Sequence, residues 1–282
     1  MTIVIERAAV LSGPPSGEGS DWFDPRAHLG RRGTALLPRA VQLTAAAAAQ
    51  LNVSGALACE SHRRELWACT ASFAEHMHDE MDAVVRAESA EALSPARAPY
   101  FSVNLLPARV AQDYKIHGRV VTITTPGTGL VDACASAALS LGSGRCDTAL
   151  VVTTDVGGEV AEGSVALMLH PEGRGTHLTW ARGFLPQAVT MRGFERLERL
   201  LPPLLAGPDV SLLTALEDAP RHLIEALPDE LTEGRPLNAP NGRLLPQAIA
   251  VAEACQQRRT TTLFCCSRFG AWAALRLDPG AL

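Results

Sequence analysis

Residues 117–155 run HGRVVTITTPGTGLVDACASAALSLGSGRCDTALVVTTD, and this stretch decides the fold. Val120–Thr125 is a β-branched run that predicts a strand buried on both faces. Small and apolar residues recur at helical spacing over Leu130–Leu141, and Ala149–Thr153 predicts a second buried strand. The pattern therefore predicts a βαβ unit with parallel strands, in which the turn at 126–129 lies at the helix N-terminus.

Composition limits the classes of function. The chain has 282 residues with 47% hydrophobic content, enough to bury a large core, and its net charge of −5 argues against nucleic acid as a partner. Seven cysteines without a C-x-x-C pair indicate reduced thiols in a cytoplasmic protein. No apolar run reaches membrane-spanning length, and the N-terminal sequence predicts a strand over Thr2–Val10 instead of a signal peptide.

The central stretch resembles the nucleophile elbow of β-ketoacyl synthases, where G-P-x-x-T-I-S-T-A-C-A-S-G precedes the helix and D-x-x-L opens the next strand. The matching residues are Gly118, Thr122, Ile123, Thr125 and Asp147. In this register the nucleophilic cysteine of the family falls on Gly127. The resemblance thus implies that this chain has no thiolate at the position where the family accepts an acyl chain.

A second match lies near the N-terminus. The segment F-D-P-R-A-H-L-G-R-R-G at 23–33 resembles the family segment F-D-P-R-x-x-L-G-R-K-G. A loop is expected before this segment, at Gly13–Ser20, and a helix is expected after it, over Pro38–Gln50.

The second half of the sequence resembles the segments that carry the two catalytic histidines of the family. Asp209–Ala215 resembles the strand that delivers the first histidine, but Ala215 is followed by Leu216, and the nearest histidine is His222. In the second segment Gly242 matches the family glycine and Arg243 occupies the histidine position. An arginine there is a permanent cation where the chemistry uses a neutral imidazole. The resemblance therefore implies degenerate catalytic positions at Gly127, Ala215 and Arg243.

Cys134 is an alternative nucleophile, because Ala133-Cys134-Ala135-Ser136 reproduces the A-C-A-S tetrapeptide of the family. Counted back from Asp147, however, Gly127 keeps the family spacing, and Cys134 would lie about 10 Å inside the helix. The helix dipole fades within one turn, so it would stabilise a thiolate there very little. A buried small helix residue is the competing interpretation.

Two other patterns are weak. His76 and His78, beside Asp79 and Glu80, suggest a metal site, but positions two apart on a helix diverge, which favours a solvated face. Gly127-Thr128-Gly129 suggests a dinucleotide fingerprint, but Asp132 stands where the third glycine is needed and would repel pyrophosphate. We predict neither a metal nor a cofactor.

The resemblance implies a thiolase-like αβαβα layered fold with two related halves, 1–172 and 173–282, joined by a turn at Pro171–Gly175. The fold is expected to be abbreviated, because only a few residues separate Asp155 from Glu162, where condensing enzymes insert a long segment.

The implied function is that of a non-catalytic, chain-length-factor-like subunit. Such a subunit pairs with an active ketosynthase as a heterodimer in type II polyketide, polyene or fatty-acid-like biosynthesis. One alternative is a scaffold that binds acyl carrier protein through Arg26, Arg31 and Arg32, for which a solvated loop is the competing interpretation. Another is an acyltransferase that uses Cys134. No nucleic-acid or membrane partner is expected.

Overall fold

The computed structural model describes residues 3–15, 22–30, 34, 37–51, 57–73, 75–95, 102–157, 161–185, 191–207, 209–216, 219, 221–225 and 227–280. Within these residues, ten strands form one sheet in the order β3-β2-β4-β5-β1-β6-β10-β9-β7-β8. The strands are β1 Ile3–Pro15, β2 Arg64–Cys69, β3 Val120–Ile123, β4 Thr148–Asp155, β5 Ala161–His170, β6 Thr176–Phe184, β7 Ser211–Ala215, β8 Arg235–Pro236, β9 Thr261–Cys266 and β10 Ala271–Pro279.

Helices connect these strands. They are α1 Pro25–Leu29, α2 Arg39–Gln50, α3 Glu75–Ala87, α4 Leu105–Asp113, α5 Gly129–Gly142, α6 Met191–Leu200, α7 Pro202–Leu205, α8 Arg221–Ile224, α9 Asp229–Thr232 and α10 Leu245–Gln257. Short 3₁₀ turns occur at Ser61–Arg63, Ala90–Ala92 and Pro240–Gly242.

The strand order repeats along the chain. The first five strands lie in the order β3-β2-β4-β5-β1, and the next five lie in the equivalent order β8-β7-β9-β10-β6. The first strands of the two sets, β1 and β6, pair antiparallel at the centre, where Ile3 is opposite Leu178. The fold therefore consists of two related halves. The proposed boundary after residue 172 falls between β5 and β6 and stays a prediction.

Three buried clusters define five layers. Helices α5 and α10 pack between the two half-sheets with apolar side chains from both, such as Val151 and Leu263. Helices α2 and α4 cover the outer face of the first half-sheet. Helices α6, α7 and α9 cover the outer face of the second, around Phe264 and Trp272. The predicted thiolase-like αβαβα fold is confirmed.

The central unit forms as predicted, with one correction. Helix α5 spans Gly129–Gly142, and every residue of β4 is buried. Strands β3 and β4 each pair parallel with β2, which lies between them. The prediction that Val120–Thr125 is buried on both faces is wrong, because β3 is the edge strand and Val120 is 40% exposed. A β-branched run favours a strand but does not distinguish the edge of a sheet from its centre.

Two boundaries also differ from expectation. Strand β1 continues through Gly13 to Pro15, inside the predicted loop, because Pro15 pairs with Ala161 of β5. Residues 16–21 of that loop lie outside the described residues. The amphipathic pattern of residues 194–205 predicts a single helix, but the structure divides it at Leu201, and Pro202 is the first residue of α7. Proline is well tolerated at a first helical position, where no intrahelical N–H bond is lost.

The F-D-P-R segment is fixed by contacts to the first half-sheet. The Phe23 ring is buried, and the Arg39 guanidinium lies 4.8 Å from its centroid. Arg39 Nη2 donates to Glu162 Oε1 at 2.7 Å, and Trp22 Nε1 donates to the same oxygen at 2.8 Å. The carboxylate of Asp24 accepts from the Arg26 backbone N–H at the start of α1. This part of the segment therefore has a structural role.

Candidate functional site

Gly127 lies at the tip of the turn between β3 and α5, next to the second half of the molecule. Its N–H donates to Gly242 O at 2.9 Å, and its carbonyl accepts from Gln247 Nε2 at 2.9 Å. Gln247 is fully buried, on the first turns of α10. The turn that would carry the nucleophile is therefore held by backbone and amide contacts from residues more than 110 positions later.

The surroundings of Gly127 leave no room for a side chain. A Cβ atom at this position would lie 2.7 Å from Cys266 O and 3.2 Å from Ser267 Cα. The backbone φ is also +79°, a left-handed conformation that residues with a side chain adopt at a cost. Gly242 fits equally closely, since a Cβ there would lie 2.6 Å from Pro126 Cβ. Three backbone segments thus meet here directly.

Arg243 is buried beside this junction, with only 4% of its surface exposed. Its Nη1 donates to Ser72 Oγ and, at 2.8 Å, to Val156 O. Both acceptors belong to the first half of the molecule, whereas Arg243 belongs to the second. This buried arginine therefore joins the two halves.

Asp155, at the end of β4, completes the same polar network. Its Oδ2 accepts from the backbone N–H groups of Leu244 at 2.6 Å and Leu245 at 2.9 Å, at the start of α10. Its Oδ1 accepts from Ala71 N at 2.8 Å, and Ser72 Oγ lies 3.4 Å away. A carboxylate is well placed at a helix N-terminus, because free N–H groups and the positive end of the helix dipole both favour it.

Ala215 is buried at the end of β7 and pairs with Cys265 of β9. The three predicted positions therefore lie around one junction. Gly127 contacts Gly242 and Cys266, and Arg243 directly follows Gly242. Ala215 pairs with Cys265, the residue before Cys266. His222 belongs to α8, and its side chain lies outside the described residues. The sequence did not indicate Asp155, Ser72 or Gln247, whose roles depend on contacts between the halves.

Cys134 is buried in the helical layer between the two half-sheets. It is fully inaccessible in α5. Burial, followed by the neighbouring Cys69 and Cys255, raises the pKa of the Cys134 thiol well above its ordinary value. A thiolate is the reactive form, so this environment disfavours Cys134 as a nucleophile. The interpretation as a small core residue agrees with the structure.

The weaker sequence patterns form no metal site among the residues that the structure describes. His78 and Asp79 are exposed on α3, the side chain of His76 lies outside the described residues, and the described part of the chain contains no cluster suited to a metal ion. Asp132 accepts from Thr128 Oγ1 at 2.9 Å and pairs with Arg182 at 3.3 Å. Arg26 is exposed on α1, whereas Arg31 and Arg32 lie outside the described residues. None of the described helices is long and apolar enough to cross a membrane.

The repeated five-strand halves and the strand–turn–helix tip at residue 127 define a thiolase-fold protein. Residues 21–184 match the model of the β-ketoacyl synthase N-terminal domain, which is more than half of the chain. The chain therefore belongs to the β-ketoacyl synthase family. No curated protein matches the sequence.

Solved structures share this fold at low sequence identity. The ishigamide ketosynthase/chain length factor is 16% identical with a TM-score of 0.72, over 100% of both chains. The AntDE:AntF complex, a type II acyl-carrier protein with its ketosynthase bound to the hexaketide, gives 13% identity and a TM-score of 0.74 over 99% of both chains. 3-Oxoacyl-(acyl carrier protein) synthase III, FabH, from Pseudomonas aeruginosa PAO1 gives 17% identity and a TM-score of 0.54 over 100% of both chains.

Proposed function

We propose that this chain is a non-catalytic ketosynthase-like subunit that pairs with an active ketosynthase, in the manner of a chain-length factor. The observation that carries the proposal is the contact of Gly127 with the backbone of Cys266 and Ser267. Because no side chain fits at residue 127, a nucleophile cannot occupy this position in the present fold. The likeness to a ketosynthase/chain length factor supports the same role.

The other two positions support the proposal chemically. Condensation needs a thiolate and donors that stabilise the developing enolate, so a site with glycine, alanine and arginine lacks its reacting groups. Arg243 is already engaged by Ser72 and Val156 O, which leaves it committed to the junction. Glycine, alanine and arginine at these positions fit a protein in which this region holds the two halves together and does not catalyse condensation.

The open edge of β3 is the surface that we assign to the partner. Leu66 N and Thr70 N of the β2 segment donate to Arg119 O and Ile123 O. In a parallel ladder alternate residues point to opposite sides, so Val120 and Thr122 direct their backbone groups away from β2. Within the described residues β3 has no second strand neighbour. An unpaired edge with an exposed valine is a template for a strand of another chain.

Co-expression tests pairing. The chain is produced with the ketosynthase encoded nearest to it in the same genome, and the tagged ketosynthase is purified. We expect the two chains to co-purify and to extend an acyl chain together, whereas neither does so alone. If the chain stays monomeric beside every candidate ketosynthase, the pairing proposal is wrong.

Thr122→Pro tests the edge assignment. Proline removes an N–H that faces outward, so the ladder with β2 survives, while a strand added at the edge loses a bond. We expect lost co-purification for Thr122→Pro and retained co-purification for Thr122→Val, with both variants folded by circular dichroism. Equal co-purification of the two variants would contradict the use of this edge.

Intact-protein mass spectrometry tests the absence of acyl transfer. The purified chain is incubated with an acyl-carrier thioester, beside an active ketosynthase as the positive control. We expect no acyl adduct on the chain. An adduct that survives in Cys134→Ser would identify another nucleophile, and one abolished by Cys134→Ser would restore the acyltransferase interpretation.

A further inference from the structure

The outer helical layers of the two halves differ, and the difference leaves an open groove. In the first half α2 packs along the nine-residue α4. In the second half the equivalent of α4, by its place before the edge strand, is α9, which has four residues. The space between α6–α7 and α9 is a groove of about 550 Å³.

The groove has an apolar floor and acidic walls. Leu201 is buried at its base and Leu205 is partly buried, while Pro202 at the start of α7 and Ala206 just after its end are exposed. Leu231 of α9 belongs to the same buried cluster as Leu201 and Leu204, so the two walls meet beneath the groove. Glu198 of α6 and Glu230 of α9 are exposed on opposite sides and line it.

We propose that this groove binds an amphipathic, basic helical segment of a partner protein. The first half indicates that the occupant is a helix, because α4 packs along α2 in the outer layer there. The floor selects leucine-like side chains, and Glu198 and Glu230 select lysine or arginine on the flanks of the segment. This surface is separate from residue 127 and from β3, so the inference stands independently of the proposed function.

The test uses the full-length chain and two synthetic probes. One is a fluorescein-labelled 14-residue peptide of leucine and lysine with a single apolar face, and the other has glutamate in place of lysine. Fluorescence anisotropy measures binding. We expect the leucine–lysine peptide to bind and the leucine–glutamate peptide not to bind.

Groove variants assign the binding to this surface. Ala206→Trp fills the groove without changing charge, and Glu198→Lys with Glu230→Lys reverses its walls. We expect each to weaken binding at least about tenfold, the size expected when a central contact or a charge pair is lost. Gln256→Trp, at an exposed position on α10, and Glu195→Lys, at an exposed position on α6 outside the groove lining, are matched controls that should bind normally.

Several results would overturn the inference. One is that the leucine–lysine peptide does not bind, and another is that Ala206→Trp binds it as well as wild type does. A third is that Glu195→Lys weakens binding as much as the groove variants do, which would indicate general attraction to an acidic protein. A dimer of this chain in analytical ultracentrifugation that Ala206→Trp dissociates would assign the groove to a second copy. Thermal unfolding of each variant verifies that lost binding does not reflect lost structure.

Discussion

Two strand–helix junctions occupy equivalent places in the repeated fold, and different forces hold them. At the end of β4, the Asp155 carboxylate binds the first N–H groups of α10. At the end of β9, the backbone of Cys266 and Ser267 lies directly against the turn before α5. The first junction depends on a side chain that cannot be removed, and the second depends on a side chain that cannot be added. Opposite substitutions should therefore disrupt them.

The largest effect is expected at the polar junction. Asp155→Asn replaces a buried acceptor of several N–H bonds with an amide whose NH₂ group faces the same donors. We expect a loss of about 3–5 kcal/mol in the free energy of unfolding, as for a broken buried charge network. Urea denaturation measures it, and Asp147→Asn, on the surface, is the matched control. A loss below about 1 kcal/mol would show that Asp155 does not hold the halves together.

Gly127→Cys attacks the other junction. The new side chain meets Cys266 O and must adopt a left-handed backbone, so we expect a loss of about 2–4 kcal/mol in unfolding free energy. Gly144→Ala is the control, because Gly144 has a similar φ of +68° but open space around it. It should cost about 1 kcal/mol, the conformational part alone. Equal losses at the two glycines would remove the steric argument at residue 127.

Cys134→Ser probes the middle layer between the two junctions. A hydroxyl replaces a fully buried thiol, so we expect a loss of about 1–2 kcal/mol in unfolding free energy. In the wild-type chain, iodoacetamide should label Cys134 only after unfolding, because burial raises its thiol pKa. Peptide mass spectrometry with and without urea makes the comparison. Rapid labelling of folded protein at Cys134 would contradict the burial argument.

The smallest effect is expected at the surface, outside both junctions. Arg63 Nε donates to Asp147 Oδ2 at 2.8 Å, and this hydrogen bond lowers the pKa of the Asp147 carboxyl. A carboxyl with a lowered pKa contributes stability above its ordinary pKa near 4 and loses that contribution as pH falls below it. The unfolding curves of wild type and Asp147→Asn should therefore lie slightly closer together at pH 3 than at pH 7. A difference that grows at pH 3 would reverse the sign of this interaction.

The sequence predicted the elements whose signals are local. Helix α5 and strand β4 are bounded by glycines and rich in apolar residues, so their type and position followed from residues 117–155. The sequence also placed Gly127 at the helix tip. It could not predict the contact that closes this position, because Cys266 lies 139 positions away.

The remaining errors also arise from distant contacts. Val120–Ile123 has the composition of a central strand, yet its place at the edge depends on which strands β2 pairs with. Pro15 belongs to a strand because Ala161 lies opposite, although Gly13 and Pro15 favour a loop locally. The resemblance indicated Arg243 only as a residue at the family's histidine position, and its buried bonds to Ser72 and Val156 require the two halves to be assembled.

The close fit around Gly127 has an evolutionary consequence. A single codon change from glycine to cysteine would place sulfur against Cys266 O in an unfavourable backbone conformation. Gaining a thiol at this turn would first require residues 266–267 to withdraw, and that change alone would weaken the folded chain. A sequence with a thiol at residue 127 could thus be reached from this one only through a less stable intermediate sequence.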